Sequence, residues 1–267
     1  RGPPFPLTYV LVVTALTLPV SLLAPMVVGL LSLSARAAAA VLPALRRRLT
    51  PAGASEVLVG VNALASIVLI SLPDVPHFGG VKHWLPSMPF LALLAGRQVQ
   101  LAGDGLSAWL APRLRRFPTA GVTPVLAAVL LLPAITLTAH VHPYGTSAYG
   151  ELAGGIPGAA SLGMQRQYWS NNVTGVLEWI NLHAPRGARL WLHEVTGLSF
   201  RDYQRNGMLR PDVQPANGPL DADVAAVQYH QEFREQEVAI WQAFGTTRPV
   251  AGLYIDETPQ VIVYQRP

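Results

Sequence analysis

Four long apolar runs constrain this chain more than any other feature. They lie near residues 5–33, 57–72, 84–101 and 118–138. A bilayer core of about 30 Å needs roughly 20 apolar residues in a helix. Only 13% of the chain is charged, against about 25% in soluble domains. We therefore predict an α-helical membrane bundle of about four transmembrane helices over residues 1–140, because buried helices of a soluble core would show more polar faces.

Charge is divided unevenly along the chain. Residues 1–140 contain ten Lys and Arg against three acidic residues, whereas residues 141–267 contain nine against twelve. The net charge therefore changes from +7 to −3, which indicates two physically different parts. The basic residues lie in or beside the loops between apolar runs and not on one soluble face, so no nucleic-acid partner is expected. The absence of cysteine excludes disulfides and thiolate metal sites.

The arginines predict how the apolar runs cross the bilayer. Two inter-run loops and their borders hold most of the basic residues of this half: Arg36, Arg46, Arg47, Arg48, Arg97, Arg113, Arg115 and Arg116. Loops rich in Arg and Lys face the cytoplasm. The loop around Lys82 and everything after His140 would then lie outside. The Ala- and Arg-rich, lysine-poor composition is typical of bacteria, so we predict a bacterial inner-membrane protein with a periplasmic C-terminal domain.

Residues 141–267 show the alternating helix and strand pattern of a small external α/β domain. Apolar residues at helical spacing and β-prone runs define its elements. The predicted helices cover residues 172–184, 197–207 and 233–244, and the predicted strands cover 188–195, 224–229, 250–254 and 260–264. Residues 208–219 are predicted to be a loop.

Several polar features of this domain admit a structural explanation. We interpret His193 and Glu194 as a structural pair on a strand. Asn172 opens a formal N-glycosylation sequon, which we treat as accidental in a bacterial protein. A solvated helix face accounts for Glu232, Glu235 and Glu237.

The loop before the third apolar run holds the only lysine of the chain, Lys82, with His83 beside it and His77 nearby. A cationic cluster at a membrane boundary can bind an anionic lipid headgroup. Lys82, His83 and His77 are therefore candidate phosphate ligands. The alternative is that these side chains extend to the headgroup region without binding a particular ligand.

The same loop opens a motif with a family resemblance. Residues 78–96 (FGGVKHWLPSMPFLALLAG) resemble the late-span motif of bacterial family-39-like glycosyltransferases. These are integral-membrane relatives of the dolichyl-phosphate-mannose protein mannosyltransferases and of the aminoarabinose lipid A transferase. The segment after the last span in that family looks like residues 142–144 (HPY), 149–155 (YGELAGG), 168–169 (YW) and 177–181 (LEWIN).

The resemblance implies an activity on the external face of the membrane. Enzymes of this family take a sugar from a polyprenyl-phosphate carrier and give it to a lipid, glycan or protein acceptor. Lys82, His83 and His77 would bind the donor phosphate and neutralise its developing charge, and a divalent metal ion stays open as a cofactor. The family's catalytic acid lies in an early external loop absent from these 267 residues. We therefore expect the C-terminal part of a longer enzyme, inactive alone.

Two positions depart from the family pattern. Gly150 stands where Asn is expected, and Gln167 stands where Asp is expected. The alternative function is a non-enzymatic, membrane-anchored external module that binds a ligand or a partner. A transporter would carry more polar residues within the runs.

Overall fold

The structure is a computed structural model that describes residues 6–44, 51–76, 79–113, 119–230 and 233–267. The chain divides into two compact units. The first comprises Arg1–His140 with Tyr149–Leu152, and the second comprises Val141–Ala148 with Ala153–Pro267. The described residues are mostly helical and include a five-stranded mixed sheet. The predicted combination of a helical part with a small α/β part is thus confirmed.

Long helices dominate the first unit. They are α1 (Tyr9–Thr17), α2 (Val20–Ala44), α3 (Pro51–Ile70), α4 (Met88–Leu110) and α5 (Val122–Val141). The run predicted as one span over 5–33 is broken between α1 and α2. Leu18 adopts an extended conformation with ψ 140°, because the ring of the following Pro19 disfavours a helical residue before it.

Among the described residues, one helix is long and apolar enough to cross a membrane. This helix is α5, with a mean hydropathy of 2.1 and none of its apolar window buried. Shorter apolar helical stretches cover Val20–Arg36 and Ser55–Ile70. The third predicted span became α4, which carries Arg97, Gln100 and Asp104 within its length. The prediction of four membrane-capable helices is therefore not met in the described ranges, because one run is broken by proline and another contains polar residues.

Helix α4 packs against α2 and α3 through a small apolar cluster. Its buried members are Ala63 on α3 and Leu91 and Leu94 on α4. Gly29 on α2 faces α4, where an added Cβ would lie 2.8 Å from the Leu94 carbonyl oxygen. Small residues of this kind let helix backbones approach closely, which is typical of helix packing in membranes.

An ion-pair cluster joins the same three helices. The Glu56 carboxylate on α3 accepts hydrogen bonds of 3.0 Å from both Arg36 on α2 and Arg97 on α4. All three side chains are partly exposed, so the ion pairs fix register more than they add stability.

The second unit is built on a mixed sheet. Its helices are α6 (Gly155–Ser161), α7 (Thr174–His183), α8 (Gly197–Arg205) and α9 (Arg234–Phe244). Its strands are β1 (Arg189–Leu192), β2 (Gln214–Pro215), β3 (Val224–Gln228), β4 (Ala251–Ile255) and β5 (Thr258–Gln265). The strand order is β2-β1-β3-β5-β4. β1 pairs in parallel with β2 and β3, whereas β5 is antiparallel to β3 and β4.

Alternate residues of the central strands cover the two faces of the sheet. Val224 and Ala226 of β3 face a core that includes Leu177 of α7 and Phe200 of α8. Ala225 and Val227 face a second core, which contains Ile240 and Phe244 of α9. The chain therefore leaves β1 toward one face, through α8, and leaves β3 toward the other face, through α9.

Two sequence interpretations fail in this unit. Residues 208–219 were predicted to be a loop, yet they contain β2, which is too short to show a period and exists through its parallel pairing with β1. Glu237 is not simply solvated, because its Oε1 accepts a 2.6 Å bond from the Tyr264 hydroxyl. Burial and this carboxylate raise the pKa of Tyr264. Glu235 is exposed, and Glu232 lies outside the described residues.

Arg210 closes the C-terminal end of α7. Its guanidinium donates to the carbonyl oxygens of Asn181 at 2.7 Å, Ala184 at 3.1 Å and Pro185 at 2.9 Å. The last carbonyl groups of a helix lack hydrogen-bond donors within the helix. The Arg210 side chain supplies donors to carbonyl groups at and just beyond the end of α7. Its Nε also donates to Asp212 at 3.0 Å.

We predict that Arg210→Met lowers the free energy of unfolding by about 1–3 kcal/mol, because it leaves these carbonyl groups without donors. Denaturant unfolding of the chain in detergent micelles measures the change. Arg205→Met is the matched control, since Arg205 is 77% exposed and pairs with Asp202, and its effect should stay within about 0.5 kcal/mol. Equal losses for the two variants would contradict the role assigned to Arg210.

Candidate functional site

The segment around Lys82 forms two consecutive 3-10 turns, Gly80–His83 and Leu85–Ser87. The turns begin at Gly79 and Gly80, whose φ angles of 75° and 61° lie in the left-handed region. Glycine adopts this region without the penalty that a side chain would bring. The paired glycines thus let the chain turn sharply into Lys82.

Trp84 anchors this segment in the first unit. The side chain is fully buried, and its Nε1 donates a 2.9 Å hydrogen bond to the Thr14 hydroxyl on α1. The Tyr9 ring packs edge-on against the indole, with centroids 6.0 Å apart. A buried Trp needs a partner for its N–H, and here that requirement fixes the turn to α1.

Ser87 provides a second anchor, on α3. It is fully buried, and its hydroxyl lies 2.6 Å from the Ser66 hydroxyl and donates to the Asn62 carbonyl oxygen at 3.2 Å. Buried hydroxyls of this kind are normally satisfied. Trp84 and Ser87 together fix the backbone of the segment that follows Lys82.

The predicted phosphate ligands lie on this anchored segment. Lys82 is exposed and His83 is partly buried, and both belong to the same 3-10 turn. His77 lies outside the described residues. The structure therefore brings Lys82 and His83 together and presents the lysine at the surface.

The segment Tyr149–Leu152 supports the break between α1 and α2. Gly150 donates its backbone N–H to the Leu16 carbonyl oxygen at 2.8 Å. The Glu151 carboxylate accepts from the backbone N–H of Val20 at 3.0 Å, which satisfies a donor at the start of α2. A Cβ at position 150 would lie 2.6 Å from the Leu18 carbonyl oxygen. Close backbone approach explains why position 150 is occupied by glycine.

The sequon asparagine belongs to a buried polar network. Asn172 is fully buried, and its Nδ2 donates to the Ser147 hydroxyl at 2.8 Å and to Gln260 Oε1 at 3.4 Å. Its backbone N–H donates to Gln167 Oε1 at 3.1 Å. Gln167, the second departure from the family pattern, therefore has a structural role here.

A second polar cluster lies at the carboxyl ends of β1 and β3. His193 follows β1 and His230 lies just beyond β3, and both are buried. The Phe233 ring packs against both, with centroids 4.5 Å from His193 and 5.3 Å from His230. Arg166 donates its backbone N–H to His230 Nδ1 at 3.2 Å. Glu194 Oε1 lies 3.7 Å from His193 Nε2.

Burial controls the charge of these two histidines. It lowers the pKa of His230 to about 4, with further contributions from the nearby charges of Arg166 and His193. Burial also lowers the pKa of His193, against the opposing effect of the Glu194 carboxylate. Both imidazoles are therefore neutral at pH 7.

Sequence reasoning missed this cluster. His193 and Glu194 were interpreted as a structural pair, and His230 and Arg166 were not identified. The available signal was that His193 lies near the end of the predicted strand 188–195 and that His230 directly follows the predicted strand 224–229. It could not be used without the strand order, since only the parallel pairing of β1 with β3 makes the two strand ends neighbours.

The described part of the chain contains no cluster of side chains suited to binding a metal ion. No group of three or more His, Cys, Asp or Glu side chains converges there to hold an ion. Comparison with protein-family models, with curated proteins and with solved structures found no match to this chain.

Gly150→Ala should destabilise the chain by about 1–3 kcal/mol, because the new methyl group would overlap the Leu18 carbonyl and force the backbone apart. Chemical unfolding in detergent micelles measures this loss. Gly145→Ala is the control, since a Cβ there has open space within 4 Å. If both variants keep wild-type stability, the close approach does not constrain position 150.

Stability of the second unit should fall as the pH drops from about 6.5 to about 4. In this window the unfolded chain protonates His230, whose ordinary pKa is 6.5, before the folded chain does. The loss should reach up to about 3 kcal/mol. His230→Gln removes the titrating group and should flatten the pH profile, measured by denaturant unfolding in detergent micelles at each pH. His183→Gln, at an exposed ring, should leave the profile unchanged; an unchanged slope in His230→Gln would contradict the assignment.

Proposed function

We propose that this chain is part of a bacterial membrane glycosyltransferase, which moves a sugar from a polyprenyl-phosphate donor to a lipid, glycan or protein acceptor on the external face. The family resemblance of residues 78–96 suggests the activity. The single observation that carries the proposal is the anchored Lys82 turn. A cation whose backbone is fixed by two buried side chains shortly after it, Trp84 and Ser87, is suited to binding one particular anionic group.

The chemistry asks for a positive charge at the donor phosphate. When the sugar leaves its carrier, negative charge develops on the lipid phosphate, and a preorganised cation stabilises that charge. Lys82 would supply the point charge and His83 a hydrogen bond beside it, with His77 as a further candidate. The catalytic acid would come from an upstream loop of the enzyme, and a divalent metal ion stays open as a cofactor.

The anchors explain why Lys82 would be better placed than an ordinary surface lysine. A long flexible side chain on a mobile loop loses entropy when it binds, which offsets part of the gain. Here Trp84 and Ser87 fix the backbone within a few residues of Lys82. Phosphate binding then has little backbone left to order.

Outward-facing apolar side chains support placement of the first unit in a bilayer. Large aliphatic residues on α2, α3, α4 and α5 are more than half exposed: Leu31, Leu58, Val61, Leu69, Leu93, Val125, Val129 and Ile135. Such a surface is unfavourable in water and favourable in lipid. With the arginine distribution, it supports placing the first unit in the inner membrane and the second unit in the periplasm as part of the proposal.

The alternative is a non-enzymatic, membrane-anchored module whose external domain binds a ligand or partner. One observation favours it, namely the buried histidine cluster at the carboxyl ends of β1 and β3. Under this alternative the full-length protein would show no transfer that depends on Lys82.

Lys82→Ala should lower kcat/KM for sugar transfer by about ten- to a hundredfold, as expected for losing one charge-assisted contact. Lys82→Arg should retain most of the activity, because it keeps the positive charge. The measurement uses full-length protein in membranes with a panel of radiolabelled polyprenyl-phosphate sugars.

Arg113→Ala is the matched control, since Arg113 is an exposed cation of the first unit that stacks on Trp109. Its activity should equal that of the wild type. Wild-type activity in Lys82→Ala would refute the phosphate role, and the absence of transfer from every donor would favour the non-enzymatic alternative. Transfer by residues 1–267 alone would contradict the expected upstream acid.

A further inference from the structure

The carboxyl ends of β1 and β3 lie at a change in chain direction. The chain leaves β1 for α8 on one face of the sheet and leaves β3 for α9 on the other face. Where parallel neighbours diverge in this way, a crevice opens beyond the strand ends, and open α/β sheets bind their ligands there. His193 and His230 occupy this position.

We propose that this crevice binds an uncharged, hydroxyl-bearing ligand of the sugar or polyol class, held between His193 and His230. The proposal involves residues of the second unit alone. It is therefore independent of the phosphate role proposed for Lys82.

The positions of the protons on the two imidazole rings favour a ligand with a hydroxyl group. His230 Nδ1 accepts from the Arg166 backbone N–H, so a neutral His230 carries its proton on Nε2 and is a donor there. Among the described residues, His193 Nδ1 is buried without a hydrogen-bond partner. With its proton on Nε2, toward Glu194, His193 offers an acceptor at Nδ1. A hydroxyl group is able to accept from one ring and donate to the other.

The charges around the crevice argue against an anionic ligand. The Glu194 carboxylate lies 3.7 Å from His193 Nε2 and would repel an anion. The Arg166 guanidinium is already engaged, since it donates to the Pro259 carbonyl oxygen at 2.6 Å and stacks over Tyr229 at 4.7 Å. An uncharged ligand avoids the repulsion and needs no free cation.

Aromatic rings supply an apolar surface beside these polar atoms. Phe233 contacts both histidines, and Trp191 lies 5.3 Å from His193, centroid to centroid. Sites for small molecules combine such walls with a few converging polar groups. Glu194 adopts a φ of 60°, and strain of this kind in a non-glycine residue is concentrated at functional sites.

Glu194 marks the solvent-facing edge of this cluster. Glu194 is 58% exposed, whereas His193 is 6% exposed. His193 Nδ1 is closed to solvent, so a ligand hydroxyl reaches it only after the surrounding side chains move. Binding should therefore perturb the signals of both histidines.

The test is a titration of the full chain in lipid nanodiscs, labelled with ¹³C at histidine Cε1 and followed by NMR at pH 7. The probes are methyl α-mannopyranoside and glycerol, with inorganic phosphate as the anionic comparison. The chain has seven histidines, and single variants assign their signals. We expect saturable shifts of the His193 and His230 signals with the sugar or the polyol, at millimolar concentrations typical of small neutral ligands.

His193→Phe removes the acceptor but keeps the ring, and should weaken binding at least about tenfold, as followed by the His230 signal. His193→Asn places an oxygen near the position of Nδ1 and should bind within about threefold of the wild type. His183→Phe, at an exposed ring, should bind like the wild type. The proposal is overturned if no neutral probe shifts the two signals, if phosphate alone shifts them, or if His193→Phe binds as well as the wild type.

Discussion

Parallel pairing of β1 with β3 is the interaction on which the second unit depends. It sets Leu190 beside Val224 and Trp191 beside Ala225, so alternate side chains of adjacent strands face the same core. Because the connections leave toward opposite faces, helices cover both sides of the sheet. The same pairing brings His193 and His230 together at the strand ends. One set of backbone hydrogen bonds thus produces both the core and the polar crevice.

The first unit depends on satisfying polar groups where its helices are interrupted. Glu151 accepts from the N–H of Val20 at the start of α2, and Trp84 donates to Thr14 on α1. In an apolar environment each unsatisfied group costs several kcal/mol, so contacts between distant parts of the sequence are required. In the motif around Lys82, Trp84 and Ser87 fix the backbone, whereas the neighbouring Lys82 is exposed.

Elements with a clear period could be predicted from the sequence, and features created by topology could not. The patterns for α7, α9 and the β4–β5 hairpin match the structure closely, because each has a regular apolar repeat or a turn signal. The prediction of four spans is wrong at two places. Pro19 breaks the first apolar run, and α4 contains polar residues that the count of apolar positions did not penalise. The role of Gly150 depends on Leu16 and Leu18, more than a hundred positions away. Lys82 and His83 were identifiable because they are adjacent, whereas His230 and Arg166 meet only in the folded chain.

The burial of Asn172 gives the sequon a kinetic meaning. Its side chain is accessible only before the second unit folds, since afterwards it is bonded to Ser147 and Gln260 inside the core. In a host that attaches glycans to nascent chains, modification and folding would compete for the same asparagine. A chain glycosylated first could not form the hydrogen bonds of Asn172. The fraction of glycosylated chains would therefore indicate how slowly this segment folds.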